Sequence, residues 1–148
     1  MELSTFGAVL RFALDLESQL AQFYTKAAGT ATRESLRADL ADLAAAGERS
    51  GRRLEQVRRQ QVNEMLLEPI HGIDASAYRV EPALPTDDAT LLAAALHNER
   101  VAERFYQDMA SLLSIPEVVR SLSRMADAHA QNRQRLSSLG VIHHAQGA

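Results

Sequence analysis

The sequence predicts an all-α protein, a four-helix bundle made of two duplicated antiparallel helical hairpins joined by a long crossover. Three observations lead to this fold class. Apolar residues recur at helical spacing along four segments, a stretch rich in proline and glycine separates the second segment from the third, and the first two segments repeat in the last two. Because such helices bury their apolar faces only against each other, the repeat predicts a bundle with internal pseudo-twofold symmetry.

Composition agrees with a single helical domain. The 148 residues are enough for one domain with its own core. Hydrophobic residues make up 46% and aromatic residues 5%, with alanine and leucine dominant, a balance that favours helix over sheet.

Charge and cysteine content exclude several classes of function. The net charge is −3, so nothing indicates a nucleic-acid partner. The absence of cysteine excludes disulfides, thiolate nucleophiles and metal sites built from thiolates. No basic and apolar leader opens the chain, and no apolar run approaches the roughly 18–20 residues of a membrane span. We therefore expect a cytoplasmic protein without a membrane partner.

The first hairpin is predicted over about residues 4–67. Ser4 is a suitable N-cap for the first helix, and Gly29 stands where a left-handed C-terminal residue is common. Thr32 is the next suitable N-cap, and so short a connection predicts an antiparallel second helix from Arg33 to Leu67. The apolar stripe of the first helix reads Phe6, Leu10, Ala13, Leu16, Glu17, Leu20, Tyr24 and Ala27.

A crossover is predicted over about residues 68–86, where periodicity stops and prolines and glycine accumulate. At roughly 3.3 Å per residue it spans about 55–60 Å, whereas a helix of about 27 residues is about 40 Å long. The crossover can therefore return along the whole bundle, so that the third helix begins at the end opposite to the end of the second.

The second hairpin is predicted over about residues 87–139. The third helix begins at Asp87 or Asp88, with acids in its first turn as the helix dipole prefers. The fourth helix carries a proline in its first turn, at Pro116, and is expected to stop at Gly140. Residues 140–148 are expected to form a flexible tail.

One motif occurs twice on this scaffold. Glu17 precedes Tyr24 by seven residues, and Glu99 precedes Tyr106 by the same distance, 82 positions further along. Seven residues are two helical turns, so each acid and its tyrosine share a face within an apolar stripe. A buried carboxylate is costly unless a partner receives it. The sequence therefore predicts a polar cluster at the centre of the bundle.

These features resemble the rubrerythrin-like branch of the ferritin-like superfamily over nearly the whole chain. The resemblance implies that a glutamate from each of the first and third helices, matched here by Glu17 and Glu99, joins a Glu-x-x-His motif from each of the second and fourth to hold two irons. That motif commonly stands four residues before a leucine, and Leu54 and Leu136 place its ligand positions here.

The ligand motifs of the second and fourth helices are degenerate. Gly47 and Ser50 occupy the two positions on the second helix, and His129 and Asn132 occupy those on the fourth. The positive charge of two irons needs about four carboxylates, and only two are present. The resemblance thus supports the fold and argues against di-iron chemistry.

Three interpretations of the centre stay open. Glu17, Glu99 and His129 are compatible with a single divalent metal, Fe²⁺, Mn²⁺ or Zn²⁺. They are also compatible with a metal-free cluster, the favoured interpretation, in which a protonated histidine or a shared proton offsets the carboxylates, with both tyrosines as hydrogen-bond donors. The third interpretation is a small-ligand pocket opened by the small residues Gly47, Ser50 and Gly51.

The favoured functional interpretation is a divergent rubrerythrin-like protein whose di-iron site is largely lost. We expect a non-catalytic binding or structural module with no catalytic residues, no cofactor and a homo-oligomeric state, a dimer being favoured. The alternative is a metal-dependent oxidoreductase or peroxidase of the di-iron carboxylate class that uses the reduced ligand set. Whether the protein is an enzyme stays open at this stage.

Overall fold

The chain folds into four long α-helices. The structure is a computed structural model that describes residues 3, 5–60, 70 and 73–147, with side chains described as far as Gly140. The helices are α1 (Phe6–Thr30), α2 (Glu34–Gln60), α3 (Asp88–Leu112) and α4 (Pro116–Gly147), and a short 3-10 turn spans Ala75–Ala77. Among these described helices, none combines the length and apolarity needed to cross a bilayer.

The helices pair as the repeat predicts. α1 packs along α2 and α3 packs along α4, while α1 contacts α3 and α2 contacts α4 across the two hairpins. Every residue of the stripe predicted for the first helix is buried. The predicted all-α four-helix bundle of two antiparallel hairpins is confirmed.

The ends of the first hairpin differ from the prediction. Thr5 caps α1 by accepting a hydrogen bond from the Ala8 amide at 3.1 Å, while Ser4 lies outside the described residues. Gly29 does not end the helix, because the Ala31 amide still donates to the Ala27 carbonyl at 2.8 Å. Thr32 donates its hydroxyl to the Asp88 carboxylate at 3.0 Å. The predicted end of the second helix at Leu67 lies outside the described residues.

The predicted stop of the fourth helix at Gly140 is wrong, while the flexibility predicted for residues 140–148 stays a prediction. α4 starts at Pro116, as predicted, but runs through Gly140 to Gly147. A glycine inside a helix costs only about 1 kcal/mol relative to alanine. Since extending a helix that has already formed is favourable, a single glycine does not by itself end it. A Cβ atom at Gly140 would meet nothing within 4 Å, so packing does not force a turn there either.

The described part of the crossover runs antiparallel to α3. Arg104 donates to the carbonyl of Ala77, and the Asn98 side chain makes two hydrogen bonds to the backbone of Glu81, at 2.7 and 3.0 Å. The crossover ends at Asp88, whose side chain accepts a hydrogen bond from the backbone amide of Thr32 at 2.9 Å. The helix α3 therefore begins beside the α1–α2 connection. The prediction that the third helix starts opposite the end of the second is confirmed.

Candidate functional site

The repeated motif places two glutamates and two tyrosines at the centre of the bundle. Glu17 on α1 and Glu99 on α3 are both buried, with exposed fractions of 1% and 0%. The Tyr24 hydroxyl donates to Glu99 Oε1 at 2.5 Å, and the Tyr106 hydroxyl donates to Glu17 Oε1 at 2.8 Å. Each hairpin thus supplies the hydrogen-bond donor for the carboxylate of the other hairpin.

His129 on α4 joins the two carboxylates. Its Nδ1 lies 2.6 Å from Glu99 Oε2, and its Nε2 lies 2.7 Å from Glu17 Oε1. Its ring also stacks on Tyr106, with ring centres 5.5 Å apart and planes within 5°. An ionised carboxylate only accepts hydrogen bonds, so both ring nitrogens donate only if the imidazole is protonated. We call Glu17, Tyr24, Glu99, Tyr106 and His129 the central cluster.

The protonation states of the cluster follow from its electrostatics. Burial lowers the pKa of His129, but the charges and hydrogen bonds of Glu17 and Glu99 outweigh burial and raise this pKa to about 10. Burial and the adjacent carboxylates raise the pKa of Tyr24 and of Tyr106 well above the ordinary value. At neutral pH the cluster therefore holds an imidazolium ion and two neutral tyrosines.

Hydrogen bonding is left incomplete at Glu17. Glu17 Oε1 accepts hydrogen bonds from Tyr106 and His129. Glu17 Oε2 is buried and has no hydrogen-bond partner among the described residues. An unsatisfied buried acceptor of this kind costs about 1–3 kcal/mol or more.

The residues at the other ligand positions expected from the resemblance contribute little to the cluster. Asn132 donates to Glu99 Oε1 over 3.4 Å, a long hydrogen bond. Gly47 has no side chain, and a Cβ atom there would lie 3.5 Å from Ala21 Cβ, an ordinary contact. A cavity of about 130 Å³ lies between this part of α2 and the cluster, and Gly47 and Ser50 are among its lining residues.

The observed arrangement does not fit a metal ion. A histidine ligand binds a metal through the lone pair of a neutral imidazole, whereas both nitrogens of His129 donate to carboxylates. Within the described part of the chain, no group of three histidine, aspartate or glutamate side chains is arranged to hold a metal. Metal binding would require His129 to lose a proton and to leave at least one carboxylate.

The structure brings together Glu17, Glu99 and His129, as the sequence analysis expected, and their assignment as metal ligands stays a prediction. The tyrosines are hydrogen-bond donors across the cluster, also as expected. Sequence reasoning missed the structural role of Asp88, which joins α3 to the α1–α2 connection. It lies in the first turn of a helix, where an acid is expected for its dipole alone, so the sequence contained no signal for this contact.

Comparison with known proteins shows likeness in structure only. No protein-family model and no curated protein sequence matches the chain. A dodecameric thioferritin related to bacterioferritin, from Bacteroides fragilis, is 15% identical with a TM-score of 0.74 over 94% of this chain and 86% of its own. A hypothetical protein from Pyrococcus furiosus is 17% identical with a TM-score of 0.73 over 90% of this chain and 87% of its own.

A third solved structure carries the fold as one of two domains. This protein of Anabaena variabilis combines a DJ-1/ThiJ/PfpI-like domain with a ferritin-like domain. It is 14% identical with a TM-score of 0.69, and the match covers 92% of the present chain and 40% of the two-domain chain. The chain therefore has the ferritin-like four-helix fold, which confirms the fold class expected from the sequence.

Proposed function

We propose that this protein is a divergent, rubrerythrin-like member of the ferritin-like proteins that has lost di-iron chemistry and serves as a non-catalytic binding or structural module. The observation that carries the proposal is the position of His129, whose two ring nitrogens bridge Glu17 and Glu99. A protonated side chain thereby takes the place between the carboxylates that a cation takes in a metal centre.

Charge balance supports this proposal. Two irons bring a positive charge that two carboxylates cannot offset, whereas an imidazolium brings only a single positive charge. The residues at the remaining ligand positions are Gly47, Ser50 and Asn132, of which the first has no side chain and the others are neutral. Among the described residues that line the inner cavity, the charged ones outside the cluster are Arg49 and Arg53, which are cationic and do not replace a carboxylate.

A metal-dependent oxidoreductase or peroxidase is the second candidate. The observation in its favour is Glu17 Oε2, a buried carboxylate oxygen without a partner among the described residues. A single Fe²⁺, Mn²⁺ or Zn²⁺ held by Glu17, Glu99 and a deprotonated His129 would satisfy this oxygen.

We further propose a cytoplasmic homo-oligomer. The likeness to a dodecameric thioferritin supports a symmetric assembly of this fold. A dimer is the smallest such assembly, and light scattering coupled to size-exclusion chromatography distinguishes it from a dodecamer. A monomer at all concentrations would contradict the proposal.

Metal titration followed by thermal melting tests the proposed function. Protein purified without a tag is first stripped of metal, and Fe²⁺, Mn²⁺ or Zn²⁺ is then added in excess. We expect no saturable rise in melting temperature, because ligands stabilise only the states that they bind. The matched control is Glu48→Gln, which removes an exposed carboxylate and leaves the cluster intact. A rise complete at one equivalent, kept in Glu48→Gln and lost in Glu17→Gln, would overturn the proposal in favour of the metalloenzyme.

A further inference from the structure

Salt bridges join α2 and α4 along one part of their contact. Arg135 on α4 binds the carboxylates of Asp39 and Asp42 on α2, the second of them at 3.3 Å. One arginine and two acids therefore offset one another's charge across the two helices. The internal repeat leads us to expect the same contact a second time, further along the same two helices, with α2 supplying the arginine and α4 the acids.

The second contact has lost its acids. An offset of 82 residues aligns Arg135 with Arg53 on α2, but the two acids that Arg135 binds are aligned with Ser121 and Arg124 on α4. Neither replacement is negatively charged, and Arg124 adds a second positive charge. Arg53 also lines the inner cavity, yet the side chains of Arg53 and Arg124 form no hydrogen bond or ion pair with any residue that the structure describes. Two arginines are thus left without an anion.

A groove of about 340 Å³ between α2 and α4 is lined by both arginines, and we call it the α2–α4 groove. This volume is within the range of small-ligand sites, about 300–1,000 Å³. Its apolar lining includes Leu54 and Met125, which are buried, whereas Arg53 and Arg124 are exposed. No acid is among its described lining residues. The groove therefore has an apolar floor and a cationic rim.

This composition selects an anion with an apolar chain. The aligned contact contains two carboxylates, and a phosphate monoester brings a similar charge, about −1.5 to −2 at pH 7. Guanidinium groups bind phosphate oxygens through paired, charge-assisted hydrogen bonds. Ser121 already donates its hydroxyl to the Glu117 carbonyl at 3.1 Å, which leaves the two arginines to bind the phosphate. Salt screens exposed arginines, so burial of an alkyl chain on the floor is needed for useful affinity.

We propose that the α2–α4 groove binds a small alkyl phosphate monoester. The phosphate lies between Arg53 and Arg124, in the role that the two acids have in the aligned contact, and the alkyl chain covers Leu54 and Met125. The inference goes beyond the proposed function and does not depend on it, because no residue of the central cluster lines this groove. Metal binding at the cluster would overturn the proposed function and leave this inference unchanged.

Calorimetric titration of the protein with n-hexyl phosphate tests the site. We expect saturable binding of one equivalent, at least about tenfold tighter than that of inorganic phosphate, which lacks the chain, and of n-hexanol, which lacks the charge. Equal affinity for inorganic phosphate would show an adventitious ion only, and equal affinity for hexanol would show apolar adsorption only. Either result would overturn the proposal, as would no binding of hexyl phosphate.

Single variants locate the binding at the two arginines. Arg53→Gln and Arg124→Gln should each weaken binding of hexyl phosphate at least about fivefold, because each removes a charge-assisted hydrogen bond. The matched control is Arg135→Gln, the equivalent change in the repeat, which should alter the affinity less than about twofold because it lies outside the groove. Equal affinities in Arg53→Gln and Arg135→Gln would overturn the proposal.

A double variant restores the acids that the repeat leads us to expect. Ser121→Asp/Arg124→Asp gives α4 the two carboxylates of the aligned contact, so that they bind Arg53 in place of the ligand and repel its phosphate. Neither side chain is buried, so the helical circular dichroism spectrum should stay that of the natural protein. Binding of hexyl phosphate should be lost. Affinity equal to that of the natural protein would overturn the proposal.

Discussion

The pair α1 and α3 presents the same chemistry to the centre of the bundle, whereas the pair α2 and α4 does not. Each helix of the first pair brings one glutamate and one tyrosine, and the hydrogen bonds cross between them symmetrically. In the second pair, His129 on α4 stands where Gly47 stands on α2. Two symmetrically placed glutamates are therefore bridged by one histidine that has no counterpart in the other hairpin.

This asymmetry also explains where space remains. His129 on α4 fills the centre, while the glycine and the small residues of α2 leave both the inner cavity and an outer groove of α1 and α2 beside Glu17. The two carboxylates consequently end in different environments. Both oxygens of Glu99 have a hydrogen-bond partner, from Tyr24, Asn132 and His129, and one oxygen of Glu17 has none among the described residues.

Removal of the single cation should have the largest effect. His129→Ala should lower the free energy of unfolding by about 3–5 kcal/mol at pH 7, because it leaves two carboxylates buried against each other. His129→Ala/Glu99→Gln should recover part of this loss by removing the repulsion. Urea unfolding followed by circular dichroism measures both. Asn132→Ala is the control and should cost less than about 1 kcal/mol, since its hydrogen bond is long. A double variant no more stable than His129→Ala would contradict the charge argument.

The hydrophobic core should respond equally in the two hairpins. Leu40 on α2 and Leu122 on α4 are equivalent in the repeat and are 0% and 1% exposed. Leu40→Ala and Leu122→Ala should therefore each cost about 2–5 kcal/mol in the same unfolding assay. Leu112→Ala serves as control, because this leucine is 50% exposed and should cost little. If one core variant is nearly neutral, the two hairpins do not share a register.

Stability should depend on pH through His129. Its pKa is raised to about 10 in the folded protein, from about 6.5 in the unfolded chain. The folded state thus holds this proton more tightly, and the stabilisation is complete below about pH 6.5 and is lost as pH rises towards 10. The difference in unfolding free energy between the natural protein and His129→Ala/Glu99→Gln should fall by about 2–4 kcal/mol between pH 6.5 and 9.5. A constant difference would show that His129 is neutral.

The two tyrosines test whether α1 and α3 are equivalent in energy as well as in geometry. Tyr24→Phe and Tyr106→Phe should each cost about 1–3 kcal/mol, because each removes a hydrogen bond to a buried carboxylate. Tyr78→Phe is the matched control, since its hydroxyl donates to the less buried Asp108 at 2.5 Å and should cost less. If Tyr24→Phe and Tyr106→Phe lower the free energy of unfolding by different amounts, the two hairpins are equivalent in backbone geometry but not in the energy of these hydrogen bonds.

The smallest effect is expected at the empty position of α2. Gly47→Ala should raise stability by up to about 1 kcal/mol, since a Cβ atom 3.5 Å from Ala21 Cβ is not a clash and alanine favours helix. Gly29→Ala, another helical glycine with free space, should behave alike. A loss of stability confined to Gly47→Ala would mean that α1 and α2 require glycine for their close approach.

The repeat made most of the fold predictable from the sequence. One offset aligns Glu17 with Glu99 and thereby predicts the pair of carboxylates, and the resemblance to a known ligand motif adds His129 to them. Helix ends were predicted less well, since Gly29 and Gly140 are compatible with both a stop and a continuing helix. Two features depend on side-chain packing across four helices, which spacing along one chain does not encode. They are the orientation of His129 and the lack of a partner, among the described residues, for one oxygen of Glu17.

The crosswise hydrogen bonds of Tyr24 and Tyr106 have the pattern of an isologous interface, in which residue i of one copy contacts residue j of the other and the reverse. Two separate, identical hairpins would make the same exchange, but they would carry either two central histidines or none. A chain in which both hairpins are fused can instead put His129 on one side and Gly47 on the other. The long crossover thus joins two related hairpins in one chain that carry different residues at equivalent positions. As a result, a single histidine serves the glutamates of both hairpins.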